Sequence, residues 1–263
     1  VYWMSGPNKE LFDVNFKDWR SDPEQLFNID KIPNPVLRAT HRQSKKRLLA
    51  YANSQLSKAL DINTLTIGFA RRAATYKRAQ LIFKDVDRLI DIGKGKIQII
   101  FSGKAHPKDE GGKSLIKNII KSSKYFTGHI KIIYLENYNM WLGRLITSGV
   151  DVWLNTPLRP NEASGTSGMK ASLNGVPNLS VLDGWWSEGC IDGVNGWAVG
   201  NPNEISDESD ADHLYDLIEN NVIPSYYGDK DDWSTMMKES IKTGISFTSH
   251  RMVTDYNNQY YKL

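Results

Sequence analysis

Asn161-Glu162-Ala163-Ser164-Gly165-Thr166-Ser167-Gly168-Met169-Lys170 concentrates more potential chemistry than any other stretch of this sequence. A loop of Gly, Ser and Thr running into a helix offers unpaired backbone N–H groups and hydroxyls at the positive end of the helix dipole, which suits an anion, phosphate above all. A solvent loop of small residues has the same composition. This one differs in carrying a carboxylate at its entrance, Glu162, and an amine at its exit, Lys170. Lys170 stands among Met169, Ala171, Leu173 and Val176. Partial desolvation lowers the pKa of such a lysine and favours the neutral amine that a Schiff base requires.

A second cluster, Arg71-Arg72-Ala73-Ala74-Thr75-Tyr76-Lys77-Arg78, gathers four cations in eight residues at a strand-to-helix junction. Alone it reads as a salt-bridged surface turn; beside a phosphate loop it has the density of a phosphate reader. Ser102 to Glu110 lacks P-loop spacing, so no nucleoside triphosphate site is read from it, and Asp109 belongs near the start of the next helix. Glu136-Asn137-Tyr138-Asn139 places a tyrosine at a strand end, where it stacks on a flat ligand or simply packs. An imine-forming lysine, a phosphate-cradling turn and a cation cluster on one rim suggest a phosphate-bearing aldehyde cofactor together with a second phosphate.

Those loops need a scaffold. The first sixty residues read as helical and irregular: a helix over Glu10 to Trp19, the breakers Asp22-Pro23 and Ile32-Pro33-Asn34-Pro35, then a long helix from Val36 to about Leu60. Along that second helix Leu48, Tyr51 or Ala52, Leu56 and Ala59 recur at helical spacing, and Arg42, Lys45, Lys46 and Arg47 read as a solvated face. Alternation follows. Strands are expected over Leu65–Ala70, Ile97–Phe101, Ile130–Leu135, Val150–Leu154 and Asn178–Leu182, with helices over Lys77–Ile90, Asp109–Ile120, Met140–Ile146 and Met169–Asn174. This order predicts an α/β fold, a Rossmann-like doubly wound parallel sheet with helices on both faces, whose ligands lie beyond the carboxyl ends of the strands. Three helices should close the chain: one opened by a Ser209/Asp212 capping box and running through Ile218, then Trp233–Ile241 and Ser249–Tyr261. The whole is read as one domain, with a helical lead-in (1–60), a Rossmann-like core holding the site (61–200) and C-terminal helices (201–263).

With 263 residues and 40% hydrophobic content, the chain can bury a substantial core. The net charge of +3 is too slight to imply nucleic acid or membrane binding. Cys190, the sole cysteine, excludes an internal disulfide, and it reads as a small filler rather than a nucleophile. His41, His106, His129, His213 and His250 never fall at metal-ligand spacing, so no metal is expected. No apolar run approaches membrane-spanning length and no signal-peptide pattern opens the chain, so a soluble, cytoplasmic protein is expected. The chain opens on Val1 in mid-pattern, which reads as a processed or truncated piece.

Arg71-Arg72 with Tyr76-Lys77-Arg78, Gly103-Lys104-Ala105, Glu136-Asn137-Tyr138, and above all Glu162 to Thr166, Met169-Lys170 and Leu173-Asn174-Gly175 resemble the α-glucan (glycogen, starch, maltodextrin) phosphorylases. Gly149 to Pro157 and Leu182-Asp183-Gly184-Trp185-Trp186 look closer to the branch found in archaea and many bacteria. The resemblance runs from Trp3 to about Val253. It implies the C-terminal domain of a GT-B fold and a retaining, pyridoxal 5'-phosphate-dependent transferase that cleaves an α-1,4-glucan with inorganic phosphate to release glucose 1-phosphate. Carried over by position, Lys170 would be the covalent anchor of the cofactor, the Thr166–Ser167 backbone would hold its phosphate, and Tyr138 and Trp3 would lie against it. Arg71, Arg72 and Lys77 would bind the substrate or cofactor phosphate; Glu162, Ser164 and Gly165 would hydrogen-bond the reacting glucose. In the family the substrate phosphate, partnered by the cofactor phosphate, protonates the glycosidic oxygen, so no glycosidase-like pair of carboxylates is expected.

The sequence departs from the family pattern in two ways. Arg71 stands where many members have lysine; it would clamp phosphate in two-pronged fashion but could not give up a proton. The chain also resembles only the cofactor-carrying half, so the N-terminal domain would be absent and the isolated fragment inactive. Members are commonly dimers, and a homodimer remains an open expectation. A nucleotide-sugar glucosyltransferase of glycogen synthase type would place a second carboxylate eight residues after Glu162, where this sequence has Lys170. The remaining alternative is a non-catalytic sugar- or phosphate-binding remnant.

Overall fold

A computed structural model describes residues 1–55, 59–201 and 204–261. Two helices, α1 (Gly6–Asn15) and α2 (Asn34–Gln55), precede the sheet. Then come β1 (Leu65–Ala70), α3 (Val86–Gly93), β2 (Ile97–Ser102), α4 (Glu110–Ser122), β3 (Lys131–Leu135), α5 (Met140–Gly149), β4 (Val152–Asn155), α6 (Thr166–Ser172), β5 (Asn178–Val181), α7 (Trp186–Gly189) and β6 (Gly196–Val199). The helices α8 (Asp207–Leu217), α9 (Ile223–Tyr227), α10 (Lys230–Ser246) and α11 (Ser249–Tyr256) follow.

The strands form one parallel sheet in the order β3-β2-β1-β4-β5-β6, the expected doubly wound α/β architecture. Its strands are buried on both faces, which is why they read as apolar runs. Alternate side chains go to opposite sides: Ile67, Phe69, Ile99, Phe101, Val152 and Leu154 join a core with α3 and α8, while Ala70, Ile100 and Trp153 join one with α2 and α5. Strand order reverses between β1 and β4, which are in register at Ile67↔Val152 and Gly68↔Trp153. A crevice therefore opens beyond the carboxyl ends of these two strands, the place where ligands of such sheets bind.

Several expectations need correction. The helix read over Lys77–Ile90 is instead two short 3-10 turns, Thr75–Lys77 and Leu81–Phe83, before α3 begins behind its Asp85 cap. Arg78 breaks it: its backbone is left-handed (φ 45°), and its guanidinium donates to the Thr156 and Pro157 carbonyls and to Asp207 and Asp210. The C-terminal helix starts three residues early, because Ser206 rather than Ser209 is its cap, accepting from the Ser209 N–H. Three acidic residues, Asp207, Glu208 and Asp210, sit in that first turn and complement the helix dipole. Strand β6 lies outside the expected strands. Lys45 is not on a solvated face; it is buried, donating to Asp151, the Thr64 carbonyl and the Tyr226 hydroxyl. Leu56, expected on the same helix, lies outside the described residues. Among the described residues no helix is long and apolar enough to cross a membrane.

Candidate functional site

The chain leaving β1 still follows its neighbour: the Arg71 N–H donates to the Ser102 carbonyl and the Ala73 N–H to the Lys104 carbonyl. That path keeps Arg71 buried, 8% exposed, and the Thr75–Lys77 turn then brings Lys77 back beneath it. From β4 the chain is tied to the same turn by the Leu158 N–H to the Tyr76 carbonyl, 2.7 Å. Glu162 follows, its N–H fixed by Asp183 Oδ2 at 2.9 Å. Two distant loops thus meet in one cluster. Glu162 Oε2 accepts from Arg71 Nη2 at 2.8 Å and from Lys77 Nζ at 2.5 Å. All three groups are buried, so the cluster holds two cations against one carboxylate out of water. Burial disfavours the Arg71 charge and lowers its pKa, with Glu162 opposing the shift. Arg71 Nε and Nη1 are buried with no partner. Lys77 Nζ also lies 4.4 Å from the Tyr76 ring centroid, and its hydrogen bond is the first cause pulling the Tyr76 phenol below its ordinary pKa.

The Gly/Ser loop leads into α6 as expected. Its cap, Gly165, has φ 84°, a left-handed conformation that glycine adopts without a Cβ penalty, and no side chain caps the helix. Gly184 lets a second loop approach: a Cβ there would stand 2.6 Å from the Ser164 carbonyl and 2.8 Å from that of Glu162. The Trp185 N–H donates to the Ser164 carbonyl at 2.8 Å. Ser167 Oγ and Trp185 Nε1 are buried without partners. Lys170, in the last turn of α6, is half-buried, and desolvation alone lowers its pKa, as its apolar neighbours predict. Its Nζ lies 3.7 Å from the Trp3 ring centroid. Asn174 holds this pair together. It donates to the Trp3 carbonyl (2.9 Å) and the Lys170 carbonyl (2.8 Å), and its Oδ1 accepts from the Ser5 N–H (2.8 Å).

The expected site residues therefore fall into groups. Arg71, Lys77 and Glu162 form one bonded cluster; Lys170 and Trp3 form a second. Tyr138 is half-buried and near enough to Arg71 for that charge to offset part of the burial that raises its phenol pKa. Ser164, on the loop between the clusters, and Thr166, the first residue of α6, are exposed, and Gly165 is buried. Arg72 is exposed and turns to Tyr76 rather than to Glu162. Arg78 is taken up by carbonyls and aspartates. Sequence reading assigned no role to Asp183, Asn174 or Trp185, although Leu173-Asn174-Gly175 and Leu182 to Trp186 stood out as segments; only the fold reveals that they position Glu162, Lys170 and Ser164. Among the described residues no group of three or more His, Cys, Asp or Glu could hold a metal. Cys190 is half-buried and its thiol is pushed up to about 12 by burial and Asp192, a poor nucleophile.

A family model described as carbohydrate phosphorylase matches residues 3–188, which include both clusters. The chain is 43% identical to a maltodextrin phosphorylase of Thermococcus litoralis over 98% of its own length and 34% of that protein's. It is 42% identical to a glycogen phosphorylase of Aquifex aeolicus, over 98% of this chain and 42% of that one. With a glycogen phosphorylase of Mycobacterium tuberculosis it shares 43% identity over 78% of this chain and 25% of the other. The chain thus spans less than half the length of these relatives. It belongs to the carbohydrate phosphorylase family.

Proposed function

We propose that this chain forms the phosphate- and cofactor-binding side of an α-1,4-glucan phosphorylase, cleaving a glucan end with inorganic phosphate to release glucose 1-phosphate with retained configuration. One observation carries the reading: Arg71 keeps two buried N–H nitrogens free while its third is held by Glu162. Leaving a buried donor unsatisfied costs about 1–3 kcal/mol, and anionic oxygens relieve that cost at Nε and Nη1, which lie on different edges of the guanidinium. The flat guanidinium fork matches two oxygens of a phosphate. With Lys77 it gives the cluster a net positive charge toward the incoming anion.

Lys170 is the proposed anchor of pyridoxal 5'-phosphate, which when bound supplies a second phosphate as proton partner for the substrate phosphate. Thr166 and the unpartnered Ser167 Oγ would hold the oxygens of that group, and Trp3 and Tyr138 would lie against its ring. The lowered Lys170 pKa keeps more of the amine neutral and able to condense with an aldehyde. Both cations bind Glu162 Oε2, which leaves Oε1 to accept from a glucose hydroxyl, with Ser164 and Gly165 beside it. Glu162 is locked to cations and so orients the sugar. The proton for the glycosidic oxygen comes from the substrate phosphate held on Arg71. Because the chain covers at most 42% of the three relatives above, the glucan site is completed by the remainder of a phosphorylase.

A chimera in which this chain replaces the matching part of a curated relative tests the reading. It should release glucose 1-phosphate from maltodextrin and phosphate only when pyridoxal 5'-phosphate is supplied, and lose that activity with Lys170→Ala. A folded chimera that binds maltodextrin yet releases none, or that works equally well without Lys170, would contradict it.

A further inference from the structure

At the opposite, amino ends of β1 and β4 a cavity of about 470 Å³ opens between α2, α9 and α10. That volume is in the range of small-molecule pockets. Asp151 forms its floor and is already satisfied: it accepts from Lys45 Nζ (2.5 Å), His41 Nε2 (3.1 Å) and the Thr66 N–H (2.7 Å). Its charge is balanced by Lys45, as that of Arg38 is by Asp231.

Three features remain open in the wall. Arg42 donates to Asn63 Oδ1 at 2.9 Å and Lys230 to the Tyr226 carbonyl at 2.6 Å, neutral acceptors that cancel neither charge. His41, 8% exposed and with Nε2 turned to Asp151, keeps Nδ1 buried without a partner. Tyr226 stands perpendicular to Tyr227 (centroids 4.9 Å, 88°) and to Trp233 (5.2 Å, 89°), giving an aromatic wall beside the cations. Cationic groups next to ring faces fit a ligand with an anionic end and a flat apolar body.

We propose that this cavity binds a small ring-bearing phosphate ester, its ring against Tyr226 and Tyr227 and its phosphate on Arg42 and Lys230, beside Nδ1 of His41. The site is separate from the Arg71 cluster, which lies at the other end of the same strands. Phenyl phosphate is the probe, followed by NMR at the His41 imidazole and the Trp233 indole of the intact chain. Saturable shifts at both are expected, with phenol at least about tenfold weaker because it lacks the charge-assisted contacts, and inorganic phosphate weaker because it lacks the ring. The double variant Arg42→Gln, Lys230→Gln alters exposed side chains and should keep the wild-type melting temperature while weakening binding by about tenfold or more. Arg71→Met should leave the affinity unchanged. Absent or non-saturable shifts, equal binding by the double variant, equal binding of phenol, or loss of the shifts with Arg71→Met would each overturn the proposal.

Discussion

The two central strands carry a buried ion cluster at each end, and the two are built differently. At the amino end, Asp151 receives three donors and Lys45 gives to three acceptors, so the ion pair is closed on itself. At the carboxyl end, Glu162 gathers two cations on one oxygen while Arg71 keeps two nitrogens unpartnered. Both clusters bring charge out of water, but only the Asp151–Lys45 pair has its donors and acceptors met within the chain. The closed cluster pins α2 to the start of the sheet. The open one is where we propose that an external anion binds.

Breaking the closed cluster should give the largest effect. Asp151→Ala leaves Lys45 buried without its carboxylate and should destabilise the chain by about 3–5 kcal/mol, read by denaturant unfolding. At the open end the pattern should reverse. Arg71→Met removes a guanidinium that burial disfavours, so stability should hold or rise, while phosphorolysis by the chimera falls by about 10²–10³-fold, as for loss of one preorganised charge-stabilising donor. An Arg71→Met protein that unfolds as readily as Asp151→Ala would erase the distinction. A smaller loss, about 1–3 kcal/mol, is expected for Asn174→Ala, which releases Trp3 and the Lys170 carbonyl. Its diagnostic reading is a slower reaction of Lys170 with pyridoxal phosphate, which a merely structural role elsewhere would not give.

The mildest test is acid. Burial pushes the Asp151 carboxyl up, but Lys45 and His41 together hold it below its ordinary value of 3.8. Its contribution is therefore fully present above that pH and lost as the pH falls further, by at most about 1.4 kcal/mol per pH unit for one proton. Acid unfolding of a Lys45→Met, Asp151→Asn double variant should be correspondingly shallower.

These contrasts also explain what could be read from the sequence. The strands were legible because the sheet is covered on both faces, so that Leu65–Ala70 and Ile97–Phe101 are mostly apolar, interrupted only by Thr66 and Gln98. The half-buried setting of Lys170 was legible from its apolar neighbours in sequence, but not the Trp3 ring that covers its amine. Lys45 was not: its partners Thr64, Asp151 and Tyr226 are brought to it only by the fold, and a lysine among basic residues on a helix looks solvated. The same long-range pairing hid the break at Arg78, whose partners lie near Thr156 and Asp210. Asp183 and Asn174 act by holding the backbone of other residues, a role that residue type alone does not announce.

We propose that the carboxyl end of β1 and β4 is an open site for phosphate and a carbonyl cofactor. Treating the intact chain with pyridoxal 5'-phosphate, reducing with borohydride and mapping the label by mass spectrometry tests it most directly. Label is expected on Lys170, diminished by competing inorganic phosphate. Label spread over the surface lysines, with Lys170 unmodified, would contradict it.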